Sequence, residues 1–102
     1  MQTKPVLEID EYGNKFRYLN DMFHREDGPA VEYSDGSKYW YLNGELHKTD
    51  GPAVEYANGS KRWFLNDYEY SFEEWLQQTP LTEKEKVKLR LQYAGRTSTR
   101  NR

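Results

Sequence analysis

The chain has 102 residues and a formal net charge of −2, and 35% of its residues are hydrophobic while 16% are aromatic. It contains no cysteine, which excludes disulfide bonds and cysteine-ligated metal sites, and we expect neither a metal ion nor another cofactor. It lacks an apolar run of membrane-span length and a signal peptide, so we expect a cytoplasmic protein that does not associate with membranes.

One sequence segment occurs twice, and the offset between the two copies is the same at every position. The first copy, at 28–47, is GPAVEYSDGSKYWYLNGELH, and the second, at 51–70, is GPAVEYANGSKRWFLNDYEY. A less exact copy precedes them and has one extra residue in its first turn. Such periodicity predicts tandem structural units that bury a shared core, here at 5–28, 29–51 and 52–70 within one domain that spans 1–95.

Each unit is predicted to be a β-hairpin. Asp35-Gly36 and Asn58-Gly59 lie between runs rich in Val, Tyr, Trp and Phe, and such dipeptides favour two-residue turns with positive φ. In the first unit, Gly13 is free to take the left-handed conformation in a longer turn. A second turn is expected in each unit at Asn20-Asp21, Asn43-Gly44 and Asn66-Asp67.

A two-residue turn sets a register in which Glu32 faces Tyr39 and Val31 faces Trp40. Because directly opposed residues share a face, one face becomes the expected core. It carries Val31, Tyr33, Trp40 and Leu42, then Val54, Tyr56, Trp63 and Leu65. The other face carries Ala30, Glu32, Tyr39 and Tyr41, then Ala53, Glu55, Arg62 and Phe64. Arg17 stands at the Trp position of the first unit, which suits a terminal unit without a neighbour.

The second face has two interpretations. It is either an amphipathic surface covered by the C-terminal helices or a binding surface, since tyrosine is enriched at interfaces. In this register Glu55 and Arg62 oppose each other and are predicted to form a cross-strand ion pair. The candidate binding residues are Tyr18, Glu32, Tyr39, Tyr41, Glu55, Arg62 and Phe64.

The repeat pattern ends at Ser71, and a helical cap is predicted over 71–95. Capping boxes begin at Ser71 and Thr82, and they predict a helix from Phe72 to Gln78 and a second one that ends at Gly95. The second segment also alternates with a period of two, which leaves a strand as the alternative. The residues expected to close the repeat array are Phe72, Trp75, Leu76 and Val87.

Residues 96–102 hold three arginines and no acidic residue, whereas the rest of the chain holds 12 basic and 17 acidic residues. An acidic body is not typical of a nucleic-acid-binding protein, so we do not expect direct contact with nucleic acid. The basic segment is predicted to be a disordered tail.

Two His-x-x-Asp-Gly-Pro motifs lie between the units. A histidine beside an aspartate can act as a general base, but no Ser or Cys nucleophile accompanies the pair. The motif also recurs in successive units, which is typical of a structural joint, and equivalent positions lie roughly 9–10 Å apart, too far to share one zinc ion. We therefore predict neither catalysis nor a metal site. The predicted structural joints are His24, Asp27 and Gly28, followed by His47, Asp50 and Gly51, and each histidine is expected to bond the aspartate or a nearby carbonyl.

The segment YSDGSKY at 33–39, followed by Asn43-Gly44 and His47, resembles MORN-type repeats. It is more similar to a variant of bacteriophage and giant-virus proteins with units of the form YLNG-x-x-H-x-x-DGPA, and residues 5–70 carry the resemblance. The chain lacks a Gly between Tyr39 and Leu42, and this departure and the acidic body argue against MORN-style lipid binding. The resemblance implies a mainly β fold in which three tandem antiparallel β-hairpin repeats form an extended twisted sheet, capped by one or two short α-helices.

The resemblance also implies a small viral accessory protein. The leading hypothesis is a phage-type interaction protein whose aromatic and acidic sheet face binds and inhibits a host protein, such as a bacterial antiviral defence factor. A second hypothesis is a nucleotide sponge, in which paired aromatic rings stack a base and Lys38 and Arg62 meet the phosphate. A third is a viral structural or assembly protein. An open sheet edge beside Pro5 or beside the third unit would allow a homodimer.

Overall fold

Ten short strands and two short helices make up the chain in the computed structural model, which describes residues 4–94. The strands are β1 (Val6–Ile9), β2 (Lys15–Leu19), β3 (Met22–Phe23), β4 (Val31–Glu32), β5 (Lys38–Tyr39), β6 (Tyr41–Leu42), β7 (Glu45–Leu46), β8 (Val54–Glu55), β9 (Lys61–Leu65) and β10 (Tyr68–Tyr70). The helices are α1 (Phe72–Gln78) and α2 (Glu83–Leu89), followed by a π-helical turn over Arg90–Ala94. The predicted stop at Gly95 and the predicted tail at 96–102 lie outside the described residues.

All strand pairs are antiparallel, and the strands follow the order β1-β2-β4-β5-β8-β9-β10, with β3 also paired to β2 and β6 paired to β7. Two strands of each unit form the long sheet. A third short strand then turns back and pairs with the strand that precedes it: β3 with β2, β7 with β6, and β10 with β9. The mainly β hairpin-repeat fold with a helical cap is therefore confirmed.

The sequence repeat is visible in the backbone hydrogen bonds between units. The Arg17 N–H donates to the Ala30 carbonyl over 2.8 Å, and the Trp40 N–H donates to the Ala53 carbonyl over 2.8 Å. The Arg25 N–H donates to the Tyr41 carbonyl over 3.1 Å, and the Lys48 N–H repeats this bond with the Phe64 carbonyl over 3.3 Å. Each unit is thus bonded to the next by the same set of contacts.

The first turn of the second unit has a three-residue loop, not the predicted two-residue one. The Tyr33 N–H donates to the Ser37 carbonyl over 2.9 Å, which leaves 34–36 as the loop. The Asp35 carboxylate accepts the Ser37 N–H over 2.8 Å, and Gly36 has φ +100°. This is the three-residue hairpin loop in which a left-handed glycine forms a bulge. Tyr56, Ser60 and Gly59 (φ +92°) repeat it in the third unit.

The extra loop residue shifts the pairing by one position, so the predicted register was wrong. Val31 faces Tyr39 and Glu32 faces Lys38, and in the third unit Val54 faces Arg62. A shift by a single position moves a whole strand to the other face. Tyr39, Tyr41, Arg62 and Phe64 consequently share a face with the valines, while Trp40 and Trp63 share the other face with Glu32 and Glu55.

The predicted single Val/Trp/Leu core was wrong for the same reason. One buried cluster comprises Ala53, Val54 and Phe64, with Tyr39, Leu46 and Tyr56 packed against it. The other lies on the opposite side and comprises Trp63, Trp75 and Leu76, with partly buried neighbours from both helices. Each side of the sheet therefore has its own apolar cluster.

Both predicted capping boxes form. The Ser71 and Thr82 hydroxyls each accept the backbone N–H of the residue three positions later, and Glu74 and Glu85 bond back to the cap residues. The α1 bounds match the prediction, and the strand alternative for the second segment was wrong. Trp75 and Leu76 are fully buried, as expected for residues that close the array.

One prediction about the cap was wrong, and one of the two interpretations of the second face does not apply. Val87 is 51% exposed, because α2 turns Leu89 toward the Trp63 cluster and the following turn adds Tyr93. The helices also pack on the Trp63 side of the sheet and do not cover the tyrosine-bearing side.

The bulge glycine offers a direct test of the left-handed backbone in this loop. A Cβ at Gly36 would meet nothing within 4 Å, so Gly36→Ala tests backbone strain without a steric clash. We expect Gly36→Ala to lower the free energy of unfolding by about 1–2 kcal/mol, because an L side chain disfavours positive φ. Gly36→Asn should lose less, since Asn tolerates this region better, and urea unfolding measures both. Equal stability of all three proteins would contradict the left-handed conformation of Gly36.

Candidate binding site

The tyrosine-bearing side of the sheet is a continuous row of rings, here called the aromatic face. Its members are Phe16, Tyr18, Phe23, Tyr33, Tyr39, Tyr41, Tyr56 and Phe64. Tyr39 lies with its ring centroid 5.5 Å from Tyr33 and 6.2 Å from Tyr56, both edge to face. Burial raises the pKa of Tyr39 and that of Tyr41 above the usual phenol value. The rings largely pack on one another, and Tyr33, with 40% exposure, is the most open member in the described structure.

The structure divides the predicted binding residues between two faces. Tyr18, Tyr39, Tyr41, Arg62 and Phe64 share the aromatic face, and Phe64 is buried there. Glu32 and Glu55 lie on the opposite face. The residues that the sequence grouped into one surface therefore do not form one.

The predicted Glu55–Arg62 ion pair was wrong. The Arg62 guanidinium donates to both carboxylate oxygens of Glu69 over 2.7 and 2.9 Å, and to the Tyr56 hydroxyl over 3.1 Å. Hydrogen bonds from Arg62 lower the pKa of Glu69 below its usual range. Arg62 is thus committed to neighbours on the aromatic face. Lys38 lies on the other face, so the two cations invoked for a nucleotide phosphate do not converge.

The acidic residues on the opposite face alternate with lysines. Glu32 lies between Lys15 and Lys38 in the strand pairing, and Glu55 lies between Lys38 and Lys61. Glu32 also accepts a 2.7 Å bond from Arg17. The expected aromatic and acidic sheet face is therefore not present among these residues, because the acids and the tyrosines point to opposite sides.

The histidines of the two joints bond to the next unit. The Nδ1 atom of His24 accepts the Asn43 N–H over 2.9 Å, and that of His47 accepts the Asn66 N–H over 3.0 Å. Both asparagines have positive φ and form the second turns, which confirms the predicted positions of these turns. In neutral imidazole the proton must then be on Nε2. The bonding partner differs from the predicted aspartate or carbonyl.

The aspartates of the joints pair with basic neighbours. Asp27 accepts a 2.9 Å bond from Arg25, which lowers the Asp27 pKa, and Asp50 lies 3.8 Å from the Lys48 Nζ. Gly28 allows Arg25 to lie across the joint, since a Cβ at that position would come within 2.8 Å of the guanidinium carbon. These residues stabilise the turns that join one unit to the next, and their polar atoms bond to neighbours within the chain.

Two grooves open beside the joints, on the side that carries Trp40 and Trp63. The first, the Arg17 groove, has a volume of about 590 Å³ and is lined by Lys4, Pro5, Leu7, Arg17, Leu19 and the joint 24–27. The second, the Trp40 groove, has a volume of about 530 Å³ and is lined by the joints 25–28 and 47–50 with Trp40 and Leu42. Most lining residues of the two grooves occupy equivalent positions of the repeat, so they are the same site in successive units.

The corresponding place in the third unit is filled by the chain itself. The chain leaves β10 directly into α1, and Trp75 reaches back over Trp63 with a centroid distance of 4.7 Å. Phe72 at 4.7 Å and Tyr93 at 5.1 Å complete the cover. The Trp75 indole N–H donates to the Lys48 carbonyl over 3.0 Å. An indole is therefore the side chain that this type of groove accommodates.

The Trp40 groove differs from both of its equivalents. In the Arg17 groove, the floor residue is a cation already bonded to Glu32 and to the Pro29 carbonyl. In the Trp40 groove the floor is a half-buried indole that touches no other aromatic ring in the described part of the chain. Among residues 4–94, the Lys48 Nζ is the one cation that lies over this ring, 4.3 Å from its centroid. The Lys48 side chain is 23% exposed. A cation–π contact is worth between about 0.5 and 2 kcal/mol depending on desolvation, so an aromatic group that stacks on the ring can displace it.

Comparison with protein-family models, with characterised proteins and with solved structures gives no significant match. Within residues 4–94, no three His, Cys, Asp or Glu side chains are arranged to hold a metal ion. No helix in that range is both long and apolar enough to cross a bilayer. The candidate site therefore depends on groove geometry alone.

Sequence reasoning missed the Trp40 groove because it assigned Trp40 and Leu42 to the core. One observation could have revealed it. Trp40 and Trp63 occupy equivalent positions of the repeat. The unit of Trp40 is followed by another repeat unit, whereas the unit of Trp63 is followed by the helical segment that contains Phe72 and Trp75. A cap built for one tryptophan leaves the equivalent tryptophan without a cover.

The histidine joints make a quantitative prediction. His24 is buried, with 6% exposure, and its substitution by alanine removes the acceptor of the Asn43 N–H. We expect His24→Ala to reduce the free energy of unfolding by about 1–3 kcal/mol, as for other unsatisfied polar groups. His24→Asn, which keeps an acceptor near the Nδ1 position, should recover part of this loss in urea unfolding. If the asparagine variant is no more stable than the alanine variant, the hydrogen bond contributes nothing.

The Arg62–Glu69 pair predicts a titration effect. In Arg62→Gln the pKa of the Glu69 carboxyl should rise back toward its ordinary value, because the hydrogen bonds that hold it low are weakened. Carboxyl ¹³C chemical shifts measured across acidic pH follow this group directly. Glu85, whose pKa is lowered by its own capping box, should titrate identically in both proteins and is the internal control.

Proposed function

We propose that this protein is a binding module that contacts another protein through the Trp40 groove and acts by occupying that partner. The observation that carries the proposal is that the same groove exists in three units, is filled by an aromatic side chain in the third, and stays open over Trp40 in the second. A half-open indole between two rigid joints is a suitable anchor point for a partner.

The residue types in the groove support this interpretation. Tryptophan is among the commonest residues at the energetic centres of protein interfaces, and Trp40 lines the groove. The joints on both sides are held by the His24–Asn43 and His47–Asn66 hydrogen bonds, so a partner would meet a preformed surface. A preformed site loses little conformational entropy on binding.

The resemblance to repeats of bacteriophage and giant-virus proteins supports a proposal about the partner. We propose a host protein, of the kind that serves in bacterial antiviral defence, which is inhibited when the groove is occupied. The acidic balance of residues 1–95 favours a partner with a basic surface, which is a common property of proteins that act on nucleic acids.

A pulldown from bacterial lysate with three proteins tests this proposal. The wild type should retain a stoichiometric partner, and Trp40→Arg should lose it by at least tenfold. Trp40→Arg is expected to fold because unit one already carries Arg17 at this position. Glu55 and the Pro52 carbonyl stand where Glu32 and the Pro29 carbonyl bond Arg17.

The matched control is Tyr33→Ser, on the exposed part of the aromatic face. It should retain the partner as the wild type does. Loss of the partner with Tyr33→Ser and its retention with Trp40→Arg would place the binding surface on the aromatic face and overturn the proposal. Unfolding curves of both variants must first show the cooperative transition of the wild type.

A further inference from the structure

The contact between Trp75 and its groove shows which chemistry the site recognises. The indole stacks against the floor residue Trp63, and its N–H donates to the carbonyl of Lys48 in the preceding joint. Both elements of recognition come from recurring positions of the repeat: one ring on the floor and one backbone acceptor on the wall. Neither depends on a side chain peculiar to the third unit.

The Trp40 groove contains the same two elements one repeat earlier. Its floor is Trp40, and its wall carbonyl belongs to Arg25, the equivalent of Lys48. The backbone there is held in the same way, since the Arg25 N–H donates to the Tyr41 carbonyl over 3.1 Å and the Lys48 N–H donates to the Phe64 carbonyl over 3.3 Å. The Arg25 carbonyl is therefore positioned as an acceptor.

From this equivalence we infer that the Trp40 groove binds a tryptophan side chain of the partner protein, stacked on Trp40 and bonded through its indole N–H to the Arg25 carbonyl. This inference rests on the proposed function and names the group that the groove recognises. The segment that presents the tryptophan resembles α1, in which an aromatic residue precedes the tryptophan by three positions and a leucine follows it. Lys48 moves off the Trp40 ring when the indole arrives.

A peptide with the sequence of residues 71–81, SFEEWLQQTPL, is the probe. It is added to the ¹⁵N-labelled full-length protein, and the three indole N–H signals are followed by NMR, with Trp40 assigned from Trp40→Phe. We expect a saturable shift of the Trp40 signal at millimolar peptide, since the α1 segment has the benefit of covalent attachment in its own groove. The Trp63 and Trp75 signals should stay in place.

Two matched peptides separate the ring from its hydrogen bond. A peptide in which alanine replaces the tryptophan should give no Trp40 shift. One in which 1-methyltryptophan replaces it keeps the ring but cannot donate, and it should bind at least threefold more weakly. Equal shifts with all three peptides, or no shift with any, would overturn the inference. A shift of the Trp63 and Trp75 signals alone would mean that the peptide only replaces α1, and this would overturn it too.

The experiment also distinguishes failure of the inference from failure of the proposed function. If Trp40→Arg abolishes partner capture but the peptide neither shifts Trp40 nor competes with the partner, the groove binds a protein through a different group. If the peptide shifts Trp40 but the partner is retained by Trp40→Arg, the groove accepts tryptophan and the functional partner binds elsewhere.

Discussion

The structure depends on a left-handed glycine in the first turn of the second and third units. Gly36 and Gly59 let a three-residue loop close each hairpin, and this loop decides which residues face each other. Because side chains alternate along a strand, one loop position more or less exchanges the two faces of the following strand. The tyrosines therefore join the valines, and the tryptophans join the glutamates. Every later feature, including the helical cap and the grooves, follows from this assignment.

The repeat explains why a small chain with few aliphatic residues folds. Each unit uses the same backbone bonds to the next, and the His–Asn contacts hold the second turns against the joints. An array of this kind needs special ends. At one end Arg17 replaces the tryptophan and bonds Glu32. At the other, β10 is longer than its equivalents and leads into α1, whose Trp75 covers the last tryptophan.

The middle unit has neither an arginine in place of its tryptophan nor a helix that covers it. Its groove is therefore the best candidate for binding a partner. Trp40 is equivalent to a residue that the chain covers with three aromatic rings, yet over Trp40 itself lies one lysine. The aromatic face is a weaker candidate, because its rings already pack on one another and Arg62 is paired with Glu69. A partly exposed tryptophan is among the residues that most often anchor the centre of a protein interface.

The sequence by itself determined the repeat, the positions of the turns, both capping boxes and the bounds of α1. These features depend on local chemistry, such as Asn and Gly at positive φ and Ser or Thr at a helix start, which acts between near neighbours in the chain. Only the tertiary structure decided the register, the side on which the helices pack and the open state of the Trp40 groove. Asp35-Gly36 fits both a two-residue and a three-residue loop, and the choice is made by packing between units that are distant in sequence. The groove was hidden for the same reason, since its walls come from joints in successive repeats and its openness is evident only beside the filled groove of Trp63.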